Sequence, residues 1–172
     1  KPLPEGEFNA DIIDLAEDGR GVARVNGKVT FVADALPGER VRFRYTRIAR
    51  DVDEGQMLAV DQASPDRVTP RCEHFGVCGG CVLQHLAPEA QIRFKQKQLI
   101  DALARVGKVT ADTVAEPLTG PVWGYRRRAR LGVKYVLKRE TALVGFRERE
   151  SSFLAALDRC VVLDPRVGEK LR

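Results

Sequence analysis

The sequence predicts a mainly β, α+β chain. A five-stranded barrel of the oligonucleotide-binding type is expected over residues 1–65, followed by a partial α+β segment over residues 66–172. Three observations predict it. Short alternating runs separated by glycine-rich turns fill the first third of the chain. A single proline-initiated helical run stands in the middle. All 4 cysteines lie beyond the barrel, 3 of them in one loop. With 172 residues, 44% of them hydrophobic and 31% charged, the chain is globular rather than disordered and has room for two small domains.

The barrel elements follow in order. Phe8 to Leu15 alternates weakly and runs into the turn Glu17-Asp-Gly-Arg-Gly21. Val22 to Val25 meets Asn26-Gly27, a strong hairpin signal, and Lys28 to Val32 returns. After the turn Leu36-Pro-Gly-Glu39, Val41, Phe43 and Tyr45 point one way while Arg40, Arg42 and Arg44 point the other. Met57 to Val60 is the expected closing strand. A basic outer face on such a barrel suits contact with backbone phosphate, so Arg40, Arg42 and Arg44 are candidate nucleic-acid contacts.

Ala63 to Pro70 is a proline-bearing linker into the cysteine loop. Beyond the loop, a helix is expected from Pro88 to about Arg105, with Ile92, Leu99, Leu103 and Val106 on one face and Gly107 ending it. Arg93, Lys95 and Lys97 form its expected solvated side. A second β region is predicted from Tyr125, in which Leu131, Val133 and Tyr135 face a core. Lys138 to Thr141 turns the chain, Ala142 to Phe146 pairs back, and Ser152 to Leu157 is a further strand delivering Cys160.

The loop Cys72-Glu-His-Phe-Gly-Val-Cys78-Gly-Gly-Cys81 carries the chemistry. Gly76, Gly79 and Gly80 allow the tight turns, some with positive φ, that several ligands from one short loop demand. With the remote Cys160 the thiols number four, as a fully protein-ligated [4Fe–4S] cluster requires. Structural zinc also takes four thiolates, usually on two short knuckles, and His74 or His85 could replace one of them. The spacing favours iron–sulfur over zinc, and either over a disulfide framework, which a chain of this size does not need. The two histidines read as loop hydrogen-bonding groups. A radical S-adenosylmethionine site is disfavoured because the first gap holds five residues and a fourth cysteine is available.

Charge is unevenly distributed. Residues 1–65 carry 9 Lys/Arg and 12 Asp/Glu, a net of −3, whereas residues 122–150 carry 9 against 3, a net of +6. Arg126, Arg127, Arg128 and Arg130 make this second stretch the stronger candidate for a polyanion. No apolar run is long enough to span a membrane and no cleavable leader is evident, so a cytoplasmic protein without membrane contact is expected. With Lys1 in place of an initiating Met, the chain is expected to be a piece of a longer protein.

The string from Ser64-Pro-Asp-Arg-Val-Thr-Pro-Arg-Cys72 through Cys78-Gly-Gly-Cys81-Val-Leu-Gln-His-Leu86 closely resembles the iron–sulfur segment of bacterial 23S rRNA (uracil-5-)-methyltransferases. Tyr125 to Leu131, Val144-Gly-Phe-Arg147 and Cys160 are similar to the same family. Gly19-Arg-Gly-Val-Ala23, Phe31-Val32 and Leu36-Pro-Gly-Glu-Arg40 resemble its N-terminal TRAM domain, an RNA-binding barrel. The transfer-RNA relatives of that family are expected to lack both parts.

The resemblance implies a structural [4Fe–4S] cluster on Cys72, Cys78, Cys81 and Cys160, and 23S ribosomal RNA as partner of a monomer. It implies methyl transfer from S-adenosylmethionine to C5 of a flipped uridine. All four cysteines are then committed, and no methyl-donor fingerprint is present. The methyl donor and catalysis are therefore expected in a domain this chain lacks. The alternative is a stand-alone RNA-binding module with a structural zinc or iron–sulfur site.

Overall fold

The computed structural model describes residues 2–171. They divide into two compact units: the chain up to Val68 together with His85–Val114, and Thr69–Gln84 together with the chain from Ala115 onward. Compactness thus groups the middle helix with the barrel, whereas the sequence reading grouped it with the cysteine segment.

The first unit is a closed barrel of β1 (Phe8–Leu15), β2 (Gly21–Val25), β3 (Lys28–Ala33), β4 (Arg40–Ile48) and β5 (Val52–Gln62), ordered β1-β2-β3-β5-β4. All pairings are antiparallel except β3 with β5. The alternation in β4 does what the pattern predicts: Val41 and Phe43 are fully buried while Arg40, Arg42 and Arg44 are exposed. Phe43 packs edge-on against Tyr45 with ring centres 5.0 Å apart, among Ala10, Ile12, Ala23 and Val32. β5 begins at Val52, five residues before the expected start, and its early part pairs with β3 to close the barrel.

A buried ion pair fastens the linker to this barrel. Glu39, 1% exposed, receives hydrogen bonds from the Leu36 N–H at 2.8 Å and the Ser64 N–H at 3.3 Å. The Arg67 guanidinium grips the same carboxylate through Nε at 2.5 Å and Nη2 at 2.8 Å, and Nη2 also donates to the Asp34 carbonyl. Burial by itself would raise the Glu39 pKa. The Arg67 guanidinium and the two N–H groups more than offset that and hold the carboxyl below its ordinary value.

The same linker pairs with the chain returning from the cysteine loop: Arg67 bridges Leu86, the Val68 N–H donates to His85 O, and the Ala87 N–H donates to Asp66 O. Helix α1 (Pro88–Ala102) then starts with Pro88 in its first turn and ends in a π-helical turn, Leu103–Gly107. Two expectations fail here. Lys108, not Gly107, takes the left-handed closing conformation. Leu99 and Val106 are exposed, because Ala90 is the sole buried residue of α1 and polar contacts hold the helix instead. Arg93 pairs with Asp66 at 2.8 Å, and Lys97 with Asp14 at 3.2 Å, so the side expected to be merely solvated makes the contacts.

The second unit contains the hairpin β6 (Gly132–Val136) and β7 (Thr141–Gly145) and the short helix α2 (Pro165–Gly168). Its core is small: Cys78, Ala155, Leu157, Leu163 and Leu171, with Leu131, Val144, Phe146 and Cys160 against it. The strand expected from Tyr125 starts only at Gly132, since Arg126 has its backbone partners in residues 162–164 instead. Val133 and Tyr135 do not face a core; they are 70% and 58% exposed. The expected strand 152–157 is reduced to one bridge between Arg147 and Leu154.

Replacing Glu39 with Gln should cost about 3 kcal/mol, the usual penalty for leaving a buried charge without its partner. Because the folded carboxyl is the more acidic one, the pair's contribution is present above the ordinary value of 4.5 and is lost as pH falls below it. Urea unfolding of both proteins at pH 7 and pH 3 measures this. The gap between them should narrow at pH 3.

Candidate metal centre

The four cysteines, separated by up to half the chain, line one small cavity with His74, Phe75, Gln84, Phe146 and Leu157. None is in a disulfide. The loop that carries three of them has no regular secondary structure, so its shape comes from stitching to neighbours. The Cys78 N–H donates to His74 O at 2.9 Å, the Gly79 N–H to Arg147 O at 2.8 Å, and the Arg149 N–H to Val77 O at 2.9 Å. The Cys72 N–H reaches the Gln84 side chain at 3.2 Å. Arg149 lies over the Phe75 ring, 4.6 Å from its centre, while its Nη2 donates to Cys81 O.

Glycine is needed at Gly76 for its positive φ, as expected, and at Gly79 and Gly80 for close approach. Gly76 alone of the three loop glycines is left-handed, at φ 93°. A Cβ on Gly79 would sit 2.9 Å from Arg147 O, and one on Gly80 3.1 Å from the Phe146 ring.

Cys160 arrives from the far segment and is held by its own turn. Asp164 caps α2 and accepts from the Arg166 side chain at 2.8 Å, which together with the Arg166 N–H lowers its carboxyl pKa to about 2. Gly168, in the last position of α2, then accepts the Cys160 N–H at 2.7 Å. Two further contacts join this segment to the loop: the Asp158 N–H to His74 Nε2 at 3.3 Å, and Arg159 to Glu73 at 3.2 Å. His74 therefore accepts a backbone hydrogen bond through its ring. His85 falls in the barrel unit.

Burial raises the Cys72 and Cys78 thiol pKa values, and the neighbouring cysteines push them further the same way. As bare thiolates the four would repel one another in a place that disfavours charge. A cationic metal core reverses that balance, since it deprotonates the thiols it binds. Among the described residues, no three His, Cys, Asp or Glu side chains are gathered as tightly as a single ion requires. The four cysteines that share the cavity offer an all-sulfur donor set, with Cys78 buried and the other three half-buried.

The basic residues separate into two groups. In the barrel, Arg40 pairs with Asp11 at 2.8 Å and Arg42 with both Glu7 at 2.8 Å and Asp61 at 3.1 Å, leaving Arg44 with no ion pair among the described residues. In the second unit Arg127, Arg128 and Arg130 are exposed, whereas Arg126 is half-buried with its backbone bonded to Val162 and Asp164.

Residues 6–58 match the family model for the TRAM domain. The chain carries a TRAM domain. Beyond it, nearly the whole chain is similar to proteins named 23S rRNA (uracil(1939)-C(5))-methyltransferase RlmD. The relative from Alkalilimnicola ehrlichii is 51% identical, over 98% of this chain and 38% of its own length. Those from Alcanivorax borkumensis and Methylococcus capsulatus are 52% and 49% identical, over 99% and 100% of this chain and 38% and 39% of their own lengths. The resemblance read from the cysteine segment therefore stands, and the chain spans well under half the length of these relatives.

Among solved structures, the Pyrococcus abyssi tRNA (uracil-54, C5)-methyltransferase in complex with S-adenosyl-L-homocysteine superposes with a TM-score of 0.58 at 27% identity. The match covers 90% of this chain and 32% of that one. This corrects the expectation that transfer-RNA relatives lack both parts, because so wide a match takes in residues beyond the TRAM barrel.

Sequence reasoning missed the residues that hold the loop: Arg147, Arg149, Glu73, Arg159 and Gly168. Spacing marks ligands, but it carries no sign of which backbone a loop will lean on. A Cβ at Gly168 would lie 2.4 Å from the Cys160 carbonyl oxygen. Gly168→Ala should therefore lower the chain's stability by about 1–3 kcal/mol in urea unfolding, through overpacking against backbone. The Cys160 thiol should also react faster with a disulfide reagent than in the parent chain.

Proposed function

We propose that this chain is the RNA-recognition and [4Fe–4S]-binding part of an S-adenosylmethionine-dependent methyltransferase that forms 5-methyluridine in 23S ribosomal RNA. The observation that carries the reading is identity near 50% across essentially the whole chain to proteins of that name. Identity to the transfer-RNA enzyme is 27%, which favours a ribosomal substrate.

Cys72, Cys78, Cys81 and Cys160 would hold the cluster. Bonds of about 2.3 Å to one zinc ion draw four sulfurs to about 4 Å from each other. A four-iron core instead takes one thiolate on each iron, which suits three ligands from one loop and a fourth from a distant segment. The group supplies cross-links between the loop and the Cys160 segment, and no step of methyl transfer is assigned to it. Arg127, Arg128 and Arg130 would contact RNA phosphates, with Arg126, Arg40, Arg42 and Arg44 as further contacts. With every thiol assigned to iron, base activation and methyl transfer are assigned to the length of the relatives that this chain does not match.

Anaerobic purification should give a brown protein with about four irons and matching sulfide. Cys160→Ala should lose the iron and gain protease sensitivity. Zinc in place of iron, or full iron retention by the variant, would overturn the ligand assignment.

Affinity for a 23S rRNA fragment should fall steeply with salt, and Arg127→Glu with Arg130→Glu should flatten that slope by about two charges' worth. Binding that ignores salt would count against these arginines.

A further inference from the structure

Two adjoining cavities in the second unit share Leu154. One, of about 460 Å³, lies between the Gly79-Gly80 backbone and Arg130. The other, of about 580 Å³, lies beside the hairpin and is lined by Lys134, Tyr135, Lys138, Leu143 and Phe153 among others. Tyr135 is 58% and Phe153 66% exposed, although residues beside Phe153 are firmly held. The Phe153 N–H donates to the Ser151 hydroxyl at 3.0 Å, its carbonyl accepts the Glu148 N–H at 2.9 Å, and Arg147 holds Ser152 O at 3.2 Å. With its backbone held in this way, only the side-chain rotamers of the exposed ring remain to be ordered when something stacks on it.

We propose that Phe153 and Tyr135 form a stacking platform for an unpaired base of single-stranded RNA, with Lys134 and Lys138 taking its flanking phosphates and Arg130 the next phosphate along the shared groove. This rests on the RNA-binding reading above and adds a base-contacting site to it. The charge of the surrounding stretch, 9 basic residues against 3 acidic, selects a polyanion over an apolar peptide. The exposed rings select single strands over duplex, because a base must be unstacked to offer its face, and such stacking is indifferent to base identity.

The test uses the whole chain and fluorescence anisotropy with a labelled single-stranded RNA, the same strand carrying abasic riboses, and a duplex. Phe153→Ala and Tyr135→Ala should each weaken single-strand binding about tenfold, leave abasic binding unchanged and keep the parent salt slope. Phe153→Trp should restore affinity. Circular dichroism should show the fold intact, since both rings are largely exposed. Equal affinity for abasic and normal strands, preference for duplex, or indifference to Phe153→Ala while Arg127→Glu still weakens binding would each overturn the platform and leave the broader RNA reading standing. No binding of any RNA by the parent chain would overturn both.

Discussion

The second unit depends on bringing four sulfur atoms together. Its buried core consists of Ala155, three leucines and Cys78, with Cys160 packed against it. Units below about 80 residues seldom draw more than about 3–5 kcal/mol from such a core, and those that persist add cross-links. Here the sulfurs that the proposed cluster would cross-link lie in the core, as Cys78 does, or against it, as Cys160 does. The irregular loop, the exit from β7 and the turn bearing Cys160 have little else in common, and backbone hydrogen bonds to Arg147 and Gly168 aim them at one cavity. Removing one thiol therefore takes away packing and a ligand together.

The barrel unit fastens its linker with an ion pair. Its interior is closely packed, with Val32, Val41 and Phe43 fully buried, and it can accommodate a charged pair at its edge. Glu39 spends its carboxylate on two N–H groups and one guanidinium, which sets where the linker leaves the barrel. One residue beyond Arg67 the chain departs for the cysteine loop, and it returns at His85, directly opposite Val68. The loop is thus an insertion with a clamped stem. A desolvated pair of this kind adds little net stability over a hydrophobic contact, but it tolerates only one register.

The barrel was legible because its signals are local. Alternation in β4, Asn26-Gly27 and the turn glycines each act over a few residues, whereas the non-local pairing of early β5 with β3 that closes the barrel was not legible. That the four cysteines would meet was legible for a different reason, since thiols in that spacing have few uses. What the sequence concealed lies in faces. Val133 and Tyr135 alternate as core residues do, yet nothing packs over them, and Leu99 and Val106 keep helical spacing on a side the barrel does not cover. Periodicity reports that a face is apolar; only tertiary context says whether it is buried. Gly79 and Gly168 look like turn residues and are instead points of contact with backbone.

The ion pairs on the barrel bear on where RNA attraction is concentrated. Arg40 and Arg42 already face carboxylates, and a phosphate must replace those partners before it gains anything. Exposed pairs are weak, worth about 0–1 kcal/mol, so replacement is feasible, but the net gain per contact shrinks by that amount. Arg128 and Arg130 stand in a stretch with three basic residues for each acid and make no ion pair among the described residues, while Arg127 acts on the Asp164 carboxylate more weakly than Arg166 does. The unit whose fold relies on the thiols is therefore also the one with the larger uncompensated positive charge. Like charges at that density repel one another and favour expansion, which a small core resists poorly. The hydrogen bond from the Asp158 N–H to His74 and the Arg159–Glu73 ion pair tie the loop to the Cys160 segment against that expansion, and the proposed cluster would add to them.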